Sequence, residues 1–206
     1  MSNYSSLGVV DALERKAAIV HGKIDPEKID AANFVLPTLS DVKGFIDFFG
    51  LELRTRDKDA LPTDASDDQK KRHGLLQKEN SYIRKDMASK FIIGYDEGMA
   101  DDSICHYLLI ELSHYLLNIR IKNDLPVGWS AACTDIGLEA DYARYMADAI
   151  MLPKAVFMYY IRENTFDAKC DLLMVTKALK DKFRGSYLSN VLYVKERGVQ
   201  LGLWQR

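Results

Sequence analysis

Apolar positions recur along this chain with two periods, and together they predict a mixed fold. Residues 8 to 21 set Val9, Ala12, Leu13, Lys16, Ala17 and Val20 at near-helical spacing, and Asp25-Pro26-Glu27 reads as the cap and first turn of a further short helix. After Pro37, residues 41 to 49 carry Val42, Phe45, Ile46 and Phe49 on one helical face, with Gly50 as the stop. Residues 51 to 54 alternate like a strand. The stretch from 57 to 72 is dense in charge, contains Pro62 and predicts an exposed loop. Residues 74 to 77 and 90 to 95 then predict two strands that pair around a connection at 79 to 89.

The second half reads as helical. Asp101, Asp102 or Ser103 can cap a helix that runs to about residue 118, and residues 123 to 128 break it from the next. A second helix spans about 134 to 152 and ends at Pro153. Further helical segments follow at 154 to 162, 171 to 183 and 186 to 197, the last stopped by Gly198; the final two have the outline of a helical hairpin. No internal repeat or low-complexity tract interrupts the pattern. The division this suggests is an N-terminal helical extension over 1–33, a central α+β domain over 34–160 and a helical C-terminal region over 161–206.

The chemistry concentrates in Cys105-His106-Tyr107-Leu108-Leu109-Ile110-Glu111-Leu112-Ser113-His114-Tyr115-Leu116-Leu117-Asn118. In an H-E-x-x-H helix, histidines at i and i+4 lie on one face and reach the same tetrahedral ion, while the intervening glutamate holds the water that the metal acidifies. Glu111 and His114 occupy the base and second-ligand positions, but the first-ligand position is Ile110, which has no lone pair to offer. His106 does not substitute: at about 1.5 Å rise per residue its Cα lies roughly 12 Å from that of His114 along the helix. The pairs Ser113-His114 and Cys105-His106 are sequence neighbours, so their side chains diverge by about 100° and make no nucleophile and base in contact.

Composition narrows the classes. With 206 residues, 48% hydrophobic and 28% charged, the chain has material for a real core, and a formal net charge of -2 gives no bulk attraction to nucleic acid. No run approaches the length of a membrane span, and no leader pattern opens the sequence. Cys105, Cys133 and Cys170 are odd in number and form no C-x-x-C pair, which suits a reducing cytoplasm. Cys133, Asp135 and Glu139 carry metal-binding groups at a spacing that fits no established pattern. The cluster Lys177, Lys180, Lys182 and Arg184 is diluted by Asp171 and Asp181 and reads as a solvated face. Glycine loops that cradle phosphate are absent; Gly94 and Gly98 lack the fingerprint.

Taken in order, a Phe-rich helix ending at Gly50-Leu51, strands ahead of the motif, the run Glu111 to Leu117, and a second helix closing in Ile150-Met151-Leu152-Pro153 resemble the ImmA/IrrE family of zincin-like metallopeptidases. The resemblance covers roughly residues 35 to 200 and extends to Val199-Gln200-Leu201-Gly202-Leu203, which is similar to the family's R-L-x-x-L-G-L ending. It implies a zincin-like scaffold with a small sheet, a motif helix and a helical C-terminal region. It also implies a third zinc ligand, a glutamate near the start of the second helix. Counting back from Pro153 puts that position at Ala140, with Glu139 on one side and Asp141 on the other. Members of the family are associated with cleaving or controlling repressor-like transcription factors.

Three readings follow. The first is a degenerate metallopeptidase, with no cofactor, that acts as a regulatory binding module towards a repressor or other transcriptional regulator. The second is an active zinc metallopeptidase that uses His114 and Glu139 as ligands, an unrecognised third ligand, and Glu111 as base. The third is a structural or DNA-associated module using the C-terminal helices.

Overall fold

The computed structural model describes the chain apart from residues 1–6, 24, 60, 62, 64, 86–89, 118–135, 164–171, 184–190 and 205–206, and apart from the side chains of residues 7, 8, 136–140 and 191. The described residues form eight α-helices and one small mixed sheet, an α+β protein. No helix among them is long and apolar enough to cross a membrane. They divide into two compact units, one of residues 1–37 with 144–206 and one of residues 38–143.

The 38–143 unit begins with α2 (Leu39–Phe48). Thr38 and Asp41 form a capping box, with the Thr38 backbone donating to Asp41 Oδ2 at 2.8 Å, so two orphan N–H groups of the first turn are satisfied. Val42 and Ile46 of the predicted face are fully buried. The helix stops where Gly50 adopts φ +72°; Gly50 N–H then donates to Asp47 and Leu51 N–H to Ile46, which closes the last turn.

The chain turns directly into β1 (Glu52–Thr55), and a 3-10 turn (Arg56–Lys58) leads towards α3 (Asp67–Leu76). The sheet is completed by β2 (Ser81–Lys85) and β3 (Phe91–Tyr95) in the order β1-β3-β2. β3 is central, parallel to β1 (Leu53 opposite Ile93) and antiparallel to β2 (Ile83 opposite Ile93). Ile92 and Ile93 are both fully buried, as a strand covered on both faces requires. Opposite Tyr82 stands Gly94, and a Cβ there would fall inside the Tyr82 ring. Packed against β2, β3 and α2 is α4 (Asp101–Leu116), the motif helix.

Four predictions in this unit are overturned. Residues 74–77 are not a strand but the end of α3, because Ser66 and Gln69 form a capping box that starts a helix inside the charge-rich stretch. The stretch 57–72 is accordingly not all exposed loop: it contains most of α3, and Asp59 is buried. The strand that pairs with β3 is instead β2, which lies within 79–89, the span read as a connection. At the start of α4 the capping position is Ala100, without a side-chain bond, while Asp101 and Asp102 lie in the first turn, where the helix dipole favours negative charge.

The other unit contains α1 (Leu7–Val20), a 3-10 turn (Pro26–Lys28) capped by Asp25, the second half of α5 (Ile136–Met151), α6 (Lys154–Glu163), α7 (Leu172–Phe183) and α8 (Val191–Gln200). Its core is apolar, with Ala18, Leu152, Val156, Phe157, Leu179 and Val194 at its centre. Through that core runs a buried polar connection. Arg197 of α8 is fully buried, donates to Glu14 of α1 at 2.6 Å, and donates through Nε to the Leu152 carbonyl at 3.0 Å. Glu14 also accepts from Tyr145 Oη at 2.7 Å and from the Lys154 N–H at 3.1 Å, so both carboxylate oxygens are engaged. Helix α8 does not stop at Gly198 as predicted. It passes through that residue, where a Cβ would fall inside the Trp204 ring, and closes at Gly202, whose φ is +75°.

Candidate functional site

The face of α4 that meets the sheet carries Ile104, Leu108, Leu112 and, among them, Glu111. Glu111 is 8% exposed, and its hydrogen-bond partner among the described residues is Ser81, whose hydroxyl donates to Oε1 at 2.8 Å. Burial pushes the Glu111 carboxyl up to about 7; the Ser81 bond opposes this, and the negative charge of Glu79 adds to it. Near neutrality this carboxyl is therefore partly protonated. One residue before Ser81, the Asn80 amide donates to Tyr107 Oη at 2.8 Å, a second tie between α4 and the start of β2.

His114 is three residues further along α4 and half-buried. Its Nδ1 is shielded from solvent and has no hydrogen-bond partner among the described residues. Burial lowers its pKa to about 4, so the ring is neutral at physiological pH. Neutral imidazole is the form that binds metal, but a ligand needs companions. Ile110 supplies none, and no three His, Cys, Asp or Glu residues come together in a metal-holding group among the described residues. The residues described thus do not fit an ordinary three-ligand zinc centre. Glu139 lies in the first turns of α5, but its side chain is outside the described residues, as are Cys133 and Asp135 entirely.

The remaining motif residues have structural occupations. Ser113 donates its hydroxyl to the Leu109 carbonyl at 2.7 Å, within its own helix. Cys105 is buried, and its thiol is pushed up to about 11 by burial and by the nearby Asp102 and Asp101, so it carries no reactive thiolate. The His106 ring stands edge-on to Tyr107 at 5.8 Å.

A second polar cluster lies on the other side of β2 and escaped the sequence reading. Asp59, with no side-chain exposure, accepts from Tyr82 Oη at 2.7 Å and from Arg84 through both Nε, at 2.9 Å, and its terminal nitrogen. His73 Nε2 is 3.3 Å from the same carboxylate, and Gln77 donates to Tyr82 Oη at 3.1 Å. Burial alone would raise the Asp59 pKa, but the Arg84 and Tyr82 bonds together with the Arg84 charge outweigh it and hold the carboxyl below its ordinary range. A signal for this cluster existed in the alternation of β2, since Tyr82 and Arg84 point one way and Ser81 and Ile83 the other. Its partner at position 59 left no trace, because an aspartate in a charge-rich run looks the same buried or exposed.

No family model matches the chain, and no curated protein or solved structure is significantly similar to it.

Proposed function

We propose that this chain is a zincin-like scaffold of the ImmA/IrrE type that has lost the metallopeptidase grip and acts in the cytoplasm by binding a repressor or other transcriptional regulator. The observation that carries this reading is the state of the catalytic positions on α4. Ile110 replaces a metal ligand, and the Glu111 carboxyl is buried and bonded to Ser81. Peptide hydrolysis in such a scaffold needs a water acidified by a metal and accepted by a base. A base with no activated water cannot start the reaction, and a partner segment seated beside α4 stays intact.

One observation favours the second reading, an active zinc enzyme with His114 and Glu139 as ligands. The shielded and unpartnered Nδ1 of His114 is an orphan polar atom of the kind a metal would satisfy. The two readings separate when the protein is mixed with a panel of repressor proteins, with complex formation followed by gel filtration and chain integrity by mass spectrometry. Binding that is insensitive to chelator and leaves the repressor uncut is expected. Cleavage lost both with chelator and in Glu111→Gln would overturn the proposal in favour of the second reading.

A further inference from the structure

Helix α2 packs on α4 and β1 with one face and leaves the other open, where its exposed residues are Ser40, Asp41, Gly44, Asp47 and Phe48. Phe48 is 80% exposed, more than any other large apolar side chain among the described residues. Its ring stands edge-on to Phe49 at 5.2 Å, a contact that helps hold it in place while most of it faces water. One turn earlier on the same face, Gly44 has no atom within 4 Å of where a Cβ would stand. The fold does not need a glycine there, and an interior glycine weakens a helix relative to alanine. What Gly44 provides is bare backbone beside the Phe48 ring. Asp41, Gly44 and Phe48 stand at i, i+3 and i+7, a stripe about 10 Å long that runs from a carboxylate over a gap to a phenyl ring. The Thr38 side chain and backbone bonds hold the Asp41 carboxyl below its ordinary range, so it is ionised, and exposed Asp47 adds a second negative charge. Lys43, the cation of α2, is half-buried and turned to the sheet, with Nζ 5.5 Å from the centre of the Tyr95 ring.

From this stripe we infer a docking surface for a basic amphipathic helix of a partner protein, whose apolar side chains close on Phe48, whose backbone approaches over Gly44, and whose lysine or arginine meets Asp41 or Asp47. Nucleic acid and anionic lipid are repelled by a face that carries two carboxylates and no exposed cation. A second copy of this chain fits badly as well. Asp41 and Asp47 both lie three residues from Gly44, so two α2 helices crossing antiparallel at Gly44 set Asp41 of one against Asp47 of the other. A parallel crossing sets each aspartate against itself, so like charges meet either way. An extended segment finds no sheet edge on this face to pair its backbone, whereas a helix reads such a surface through anchors at i, i+3 or i+4, and i+7, the same spacing of about 10 Å. This surface is separate from the catalytic positions of α4 and does not depend on the reading given to them.

The test uses the full chain and three fluorescently labelled, end-capped peptides about 20 residues long, enough to hold a helix. One has a leucine stripe flanked by lysine and arginine, one has the same stripe flanked by glutamate, and one has the basic composition with the stripe scrambled. Fluorescence polarisation is expected to show the basic amphipathic peptide binding about tenfold or more tighter than either control, and weakening as salt rises from about 50 to about 300 mM. Phe48→Ser should weaken that binding by about tenfold or more, and Asp47→Lys by about threefold. Gly44→Gln is the sharper variant: it should melt no lower than the native chain, because the helix gains propensity and nothing is displaced, yet lose about tenfold in binding because the shelf is filled. Equal binding of the acidic or scrambled peptide, or indifference to both Phe48→Ser and Gly44→Gln, would overturn the inference. So would a dimer in sedimentation equilibrium that Phe48→Ser dissolves, since a second copy would then hold the face.

Discussion

The two faces of β2 hold two buried carboxylates that titrate in opposite directions. Asp59 meets Tyr82 and Arg84 on one face, and Glu111 meets Ser81 on the other. Both are shielded from water, so burial acts on each in the same sense. The difference is the partner. A guanidinium and a phenol hold Asp59 ionised, whereas one hydroxyl leaves Glu111 pushed up to about 7. Burial does not by itself mark a functional carboxylate; burial without a countercharge is the informative state, because the group then stays poised for a proton. By that criterion the α4 face is the chemically unusual one, and the Asp59 face is structural.

The largest effect should come from removing the countercharge. Arg84→Met is expected to cost about 3 kcal/mol in urea denaturation, since it leaves the buried Asp59 charge with the Tyr82 hydroxyl and only the more distant Arg54 guanidinium, at 3.5 Å, as countercharge. A loss below about 1 kcal/mol would show that Asp59 does not depend on its partner and would collapse the contrast.

Next comes Glu111→Gln, whose effect depends on pH. The raised pKa means that the stability Glu111 contributes is complete below its ordinary value of 4.5 and is lost as pH rises through about 7. The variant should therefore gain on the native protein over that window, by up to about 3 kcal/mol, and show no further gain above it. His114 runs the other way: lowered from 6.5 to about 4, it contributes stability that is complete above 6.5 and lost as pH falls through about 4. Thermal melts of Glu111→Gln and of the native chain at pH 5, 6, 7 and 8 would check this, and parallel curves would contradict the buried state of Glu111.

Smaller effects sharpen the geometry. Gly94→Ala forces a methyl into the Tyr82 ring and should cost about 1–3 kcal/mol, reported by the denaturation midpoint. Ser81→Ala removes the hydroxyl from Glu111 and should cost about 1 kcal/mol at pH 8, where the carboxylate needs the donor, and less at pH 5. It should also move the Glu111 titration, followed by carbon-13 NMR of the carboxyl, to higher pH.

Much of the helical architecture was legible, because long amphipathic segments with caps leave a 3.6-residue signal. The face of α2 and its Gly50 stop, the helix α4, and the end of the α5 helix before Pro153 all follow from the pattern. The errors cluster where the signal is short. Gly74-Leu75-Leu76-Gln77 is too brief to separate strand from helix, and only the Ser66 and Gln69 box upstream decides it. The five residues of β2 alternate in the direction they face, but all except Lys85 are buried, so the usual polar and apolar alternation is blurred. At the site, Glu111, His114 and Ile110 could be named from the motif alone. Ser81 could not, since it lies 30 residues away and reaches Glu111 only through the packing of α4 on the sheet.

The most direct test of the central claim is the zinc content of the native protein, purified without chelator or a histidine tag, equilibrated with modest zinc and measured by elemental analysis. Loss of the metallopeptidase grip predicts well below about one zinc per chain, unchanged in His114→Ala. Near-stoichiometric zinc that disappears in His114→Ala would contradict it and restore Glu111 to the role of a catalytic base.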